Sequence, residues 1–192
     1  MGEQLKHLEK DLIKEKKMKY LDADLKNDIL TALYILKCDP VERVSLEASR
    51  TWQIYVDNQP KILKATINVL IPRAIHFLGE NNEELHEIGR SSLRSLVVKF
   101  GDKLVPDLLS YFEEKIEGEG TSIFVVSGVC SGLFEIVDGA SLETIEPFRK
   151  RVIALVTPLF LHDTREIRQK SHDIFCSLAK TLASPTFLKD FL

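Results

Sequence analysis

LHEIGRSSLRSLV, residues 85–97, places apolar or small side chains at Leu85, Gly89, Leu93, Leu96 and Val97. Counted from Leu93, these are offsets of −8, −4, 0, +3 and +4, which fall on one face of an α-helix. The same offsets recur in VSLEASRTWQIYV (44–56) around Trp52, in VVSGVCSGLFEIV (125–137) around Leu133, and in IRQKSHDIFCSLA (167–179) around Phe175. The anchors Trp52, Leu93, Leu133 and Phe175 stand 41, 40 and 42 residues apart. A period of roughly 40 residues with room for two helices predicts repeated helical hairpins stacked into an all-α solenoid.

Working outward, the pattern predicts first ("A") helices over 40–57, 83–100, 121–137 and 164–182. Second ("B") helices are expected over 59–79, 102–117 and 142–161, with a fragment from 184. This is a HEAT-type array of about four repeats, spanning 39–192 and truncated within its last repeat. Residues 1–38 form a separate N-terminal helical pair, expected at 3–19 and 25–37. Asp39-Pro40 is expected to cap and start the first A helix. Turns are expected at Asn58 to Pro60, Gly79 to Asn82, Gly101-Asp102, Gly118 to Gly120, Gly139 and His162-Asp163. Pro72 and Pro158 lie deep enough in B helices to bend them. Ile123 to Val126 is β-branched enough to pass for a strand, but its register assigns it to an A helix. The apolar ending Phe187 to Leu192 lacks the polar face of a capping repeat, so the expectation is a piece of a longer array.

A net charge of −3 gives no global pull toward nucleic acid or membrane. No apolar run approaches the ~20 residues that span a bilayer, and residues 1–20 lack the apolar region of a signal peptide. Cys38, Cys130 and Cys176 are too few and scattered for a disulfide framework and read as buried, reduced thiols.

No arrangement of residues makes a case for catalysis. Gly128-Val129-Cys130-Ser131-Gly132 has the outline of a nucleophile elbow, but an elbow needs a strand, a strained turn and a sheet. Glycines that let helices approach closely explain it better. His172 and Cys176, four residues apart on a helix, lack further ligands for a metal. Gly118-x-Gly120 lacks the glycine and lysine of a phosphate loop. The reading is a non-enzymatic protein with no cofactor, no metal and no small-molecule substrate. Partner contacts are sought among basic residues: Arg90, Lys99 and Lys103 beside the second repeat, and Arg149, Lys150 and Arg151 in the third B helix. Lys14, Lys16, Lys17 and Lys19 form a further run, and Arg165 and Arg168 lie about one turn apart. The alternative for Arg90 is a pair within the stack.

The stretches TWQIYVDNQPKIL (51–63), GRSSLRSLVVKFGDKLVPDLLSYFEEKIEG (89–118) and SGVCSGLFEI (127–136) resemble the large general-control translational activators. These are ribosome-associated HEAT-repeat proteins that activate the general-control kinase of initiation factor two. The likeness runs from about residue 40 to 182 and includes non-core positions: Asn58, Pro60, Arg90, Lys99, Gly101, Lys103, Glu113 and Glu114. It departs at Ile67-Asn68, where the family has a leucine–proline pair, and it does not reach residues 1–38. The resemblance implies a cytoplasmic scaffold in the amino-acid-starvation response. Its implied partners are the ribosome, through protein and ribosomal RNA, and the RWD domain of the kinase or of a competing regulator. A transport receptor of the karyopherin type, or another HEAT adaptor, is the alternative.

Overall fold

The computed structural model describes residues 21–118 and 120–182, and every regular element among them is helical. The expected helices at 3–19 and from 184, and the Lys14 to Lys19 run, lie outside the described residues. The chain is all-α, of the HEAT type expected from the sequence, and it divides into two compact units at Pro72/Arg73.

The first unit holds α1 (Ala23–Leu36), α2 (Glu42–Tyr55) and the beginning of α3 (Gln59–Gly79). Asp22 caps α1 by accepting from the Leu25 N–H at 2.7 Å. Asp39 acts one step earlier than expected: its carboxylate accepts from Val41 N at 2.8 Å, so Pro40 sits before α2 and not in its first turn. Leu30, Tyr34, Ile35 and Trp52 are all buried, with the Tyr34 and Trp52 rings edge-on at 5.5 Å. Lys37 Nζ stands 4.9 Å from the Trp52 ring centroid, a cation–π contact.

Helix α3 is long and apolar enough to cross a bilayer by length and composition, which corrects the expectation that no such run exists. Lys61, Lys64 and Arg73 interrupt it, while Leu63, Leu70, Ile71, Ala74, Ile75 and Leu78 are buried, so it works as a core helix. Pro72 sits within it without ending it. The missing proline N–H strands the carbonyl four residues back, and Asn68 is exposed, where water can satisfy it.

The second unit carries the remainder: α4 (Glu83–Phe100), α5 (Val105–Glu117), α6 (Ile123–Gly139), α7 (Leu142–Ile145), α8 (Arg149–Val156) and α9 (Arg165–Leu182). The A helices α4, α6 and α9 lie in series, with α6 packed on both neighbours and on α5. Ile123 to Val126 is helical, as its register required. The expected single helix over 142–161 is instead α7, a 3-10 turn at Glu146–Phe148, α8, and a second 3-10 segment at Thr157–Leu161. Pro147 and Pro158 stand at the two breaks, each unable to donate to the preceding turn. Gly101 ends α4 at φ 49°, a conformation costly for any residue with a Cβ.

Helix α6 buries almost its whole circumference because its glycines admit neighbouring backbone. A Cβ on Gly128 would stand 2.3 Å from the Ile75 carbonyl oxygen, and one on Gly132 would stand 2.4 Å from Ile75 Cδ1. Gly128→Ala gains about 1 kcal/mol of helix propensity but must push α6 off α3, at about 1–3 kcal/mol for overpacking. Backbone oxygen cannot rotate away, so the upper end applies and a net loss of about 2 kcal/mol is expected by urea denaturation. Gly139→Ala in the same helix is the control: its Cβ would meet only Arg94 Cγ at 3.7 Å. That variant should match or exceed the parent.

Candidate interaction surface

The packing of α6 explains the elbow-like Gly128 to Gly132. These residues sit mid-helix, and Cys130 is fully enclosed. Burial pushes its thiol up to about 12, far from a working nucleophile. Cys176 Sγ lies 3.8 Å from His172 Nδ1 and Asp173 Oδ1 3.6 Å from the same nitrogen, but among the described residues no group of three is placed to hold a metal.

The six basic residues singled out from the sequence separate into two sets. The arginines are used internally. Arg90, on α4, donates to Glu87 at 3.0 Å. Its Nε lies 2.9 Å from Glu135 Oε1 on α6, out of line for donation, so that contact is ionic and not a directed hydrogen bond. Arg94 adds a hydrogen bond from Nε to the other Glu135 oxygen and one from Nη2 to Asp138 at 2.9 Å. Glu135 is 3% exposed and held by two guanidinium groups. Arg151, on α8, clasps Glu113 of α5 through Nε at 2.9 Å and Nη2 at 2.7 Å, a bidentate pair. Arg149 pairs with Glu146 at 2.6 Å. The lysines Lys99, Lys103 and Lys150 are exposed. Beyond the six, Arg168 closes the turn before α9 by donating to the carbonyls of His162 and Asp163, while Arg165 is exposed.

A second polar cluster, which sequence reasoning missed, joins α6 to α9. Lys170 Nζ donates to Ser127 Oγ at 2.5 Å and to Ser131 Oγ at 3.0 Å, and lies 3.1 Å from Glu166. Ser127 donates to Glu166 at 3.0 Å. Hydrogen bonds from Lys170, then Ser127, hold the Glu166 carboxyl below the usual range. A signal was available: the bonds joining successive A helices span 39 to 44 residues, one repeat period.

His86 projects from α4 toward this cluster. Burial, then the charges of Arg90 and Lys170, lower its pKa from the ordinary 6.5. The unfolded chain therefore binds this proton more readily, and stability falls as pH drops below about 6.5 until the folded imidazole also titrates. His86→Gln should flatten that part of the profile, read as urea midpoints between neutral and mildly acidic pH.

Ion pairs between successive A helices, with Lys99, Lys103 and Lys150 exposed at or near helix ends, suit a helical-repeat scaffold. The comparisons agree in one direction. The protein named eIF-2-alpha kinase activator GCN1 of Dictyostelium discoideum is 27% identical over 166 residues, 86% of this chain and 6% of its own length. The chain resembles a segment of GCN1. The mouse protein named stalled ribosome sensor GCN1 is 26% identical over 90% of this chain, and the Saccharomyces cerevisiae GCN1 is 26% identical over 81%. The chain spans only 6% of the length of these GCN1 proteins. No protein-family model matches the chain. No solved structure matches it either.

Proposed function

We propose that this chain is a non-catalytic scaffold segment in translational control, working as part of a GCN1-like protein in the cytoplasm. The supporting observation is the GCN1 likeness, which extends over 81–90% of the chain in four relatives whose names denote a kinase activator or a ribosome sensor. The fold is consistent with it, since stacked helical hairpins act by presenting surface. In this reading the segment contacts the ribosome or an RWD-domain protein on the route to activating the initiation-factor-two kinase. Lys99, Lys103 and Lys150 are the proposed contact residues, because their side chains are exposed.

Pull-down of ribosomes and of a purified RWD domain with this chain tests the proposal. Capture of either one, weakened by Lys99→Glu/Lys103→Glu/Lys150→Glu, is the expected result. Capture of neither sinks the reading for this segment. Contact with RNA should weaken steeply with added salt through counterion release, and an RWD contact made through the same lysines should weaken less steeply, by screening alone.

A further inference from the structure

At the N-terminal ends of α4, α6 and α9 the second unit has a cavity of about 710 Å³. Polar and apolar side chains both line it. Ile123 is half exposed there at 51%, and Phe124 stands beside it. Its rim carries three carboxylates, Glu80, Glu83 and Glu166, against the ammonium of Lys170. His86 also faces in, but its lowered pKa leaves it neutral at neutral pH.

Helix N-termini ordinarily favour anions. Here the foremost amides are already bonded: Asn82 Oδ1 accepts from Glu84 N and Leu85 N, and Ser122 Oγ accepts from Val125 N. The sign of the opening is therefore set by the carboxylates. Glu80 lies 3.3 Å from His76, and Glu166 is engaged by Lys170 and Ser127. Glu83 projects exposed from the first turn of α4.

We propose that this groove receives a basic, apolar-flanked segment of a partner protein, with an arginine or lysine head against Glu83 and Glu80 and an apolar neighbour over Ile123 and Phe124. Charge complementarity selects this occupant over RNA, whose phosphates the rim would repel. The inference stands apart from the translational reading, because it rests on the groove alone.

The probe is a fluorescein-labelled short peptide alternating arginine and leucine, read by anisotropy at low salt. Its counterpart alternates glutamate and leucine, and an oligouridylate is a third probe. The arginine peptide alone is expected to bind. Glu80→Gln/Glu83→Gln should weaken it by about fivefold, the scale of rim charge pairs, and Ile123→Ser should weaken it further. All these side chains are at least partly exposed, so thermal melts of the variants should match the parent. Amide shifts on titration should cluster at 78–86, 122–127 and 164–170. Binding that these variants leave unchanged, no binding of the arginine peptide, or preference for the acidic peptide or the RNA overturns the proposal. Ribosome or RWD capture reads a different surface, so either idea can fail alone.

Discussion

Trp52→Ala is expected to lower the stability of the first unit by about 3–5 kcal/mol, the range for emptying an aromatic core site. The indole is 1% exposed and is the largest fully buried side chain among the described residues. Helix α2 buries only Ala48 and Trp52 of its fourteen residues, so the docking of α2 depends on this one ring. Three local terms modify the cost. The edge-on contact with Tyr34 and the cation–π contact from Lys37 are lost with the ring. Against them, Trp52 Nε1 is buried with no hydrogen-bond partner, a burden that truncation removes. Trp52→Phe separates these effects, since it keeps a ring and discards the orphan donor. It should cost less than half as much as Trp52→Ala. Trp52 is the only tryptophan, so the variants must be followed by circular dichroism in urea. A Trp52→Ala midpoint equal to that of the parent would refute the core assignment.

That prediction could be made from the sequence, and the reasons show how far periodicity reaches. Trp52, Leu93 and Leu133 are all enclosed at 0–1% exposure, as the recurrence required. Phe175 is not: it is half-buried with its ring 6.0 Å from that of Phe160, while Ile174 is fully enclosed in its place. The offsets could not separate two adjacent apolar residues, and the larger one drew the assignment. The face that α9 buries runs Ile167, Ser171, Ile174, Leu178, with steps of four, three and four. Val44 shares the face of Ala48 yet is 37% exposed, because it lies in the first turn of α2. The broken helix over 142–161 follows from the sequence once Pro147 is read together with Pro158. What an apolar pattern cannot give is pairing. Arg90 and Lys99 look alike in the sequence, and only the placement of Glu135 one repeat later decides that Arg90 turns inward. The groove beside Ile123 was hidden for the same reason, since its rim draws on three separate turns.

Removing both guanidinium groups from Glu135 is expected to be the other severe change. Arg90→Ala/Arg94→Ala would leave a carboxylate that is 3% exposed without either of its cations. Stranding a buried charge costs about 3–5 kcal/mol. The arginine side chains are 35% and 44% exposed, so water replaces part of what they give, and the expected loss is nearer 3 kcal/mol. Either single variant should cost much less, because the remaining arginine still meets one carboxylate oxygen. Adding Glu135→Leu should recover most of the deficit, since an apolar side chain in place of a buried ion cluster is often neutral or stabilising. The cycle therefore tests the mechanism as well as the magnitude. If the two arginine substitutions cost as much in the Glu135→Leu background as in the parent, the arginines act through the packing of their stems and not through charge. Urea midpoints for the four proteins decide it. An uncompensated Glu135 should act first where α4 meets α6, so amide exchange should quicken at that seam before it quickens between α6 and α9. The latter seam has its own ties, from Lys170 to Ser127 and Ser131 and from Ser177 to Asp138. A scaffold made of successive A helices can in this way loosen one junction while the next holds.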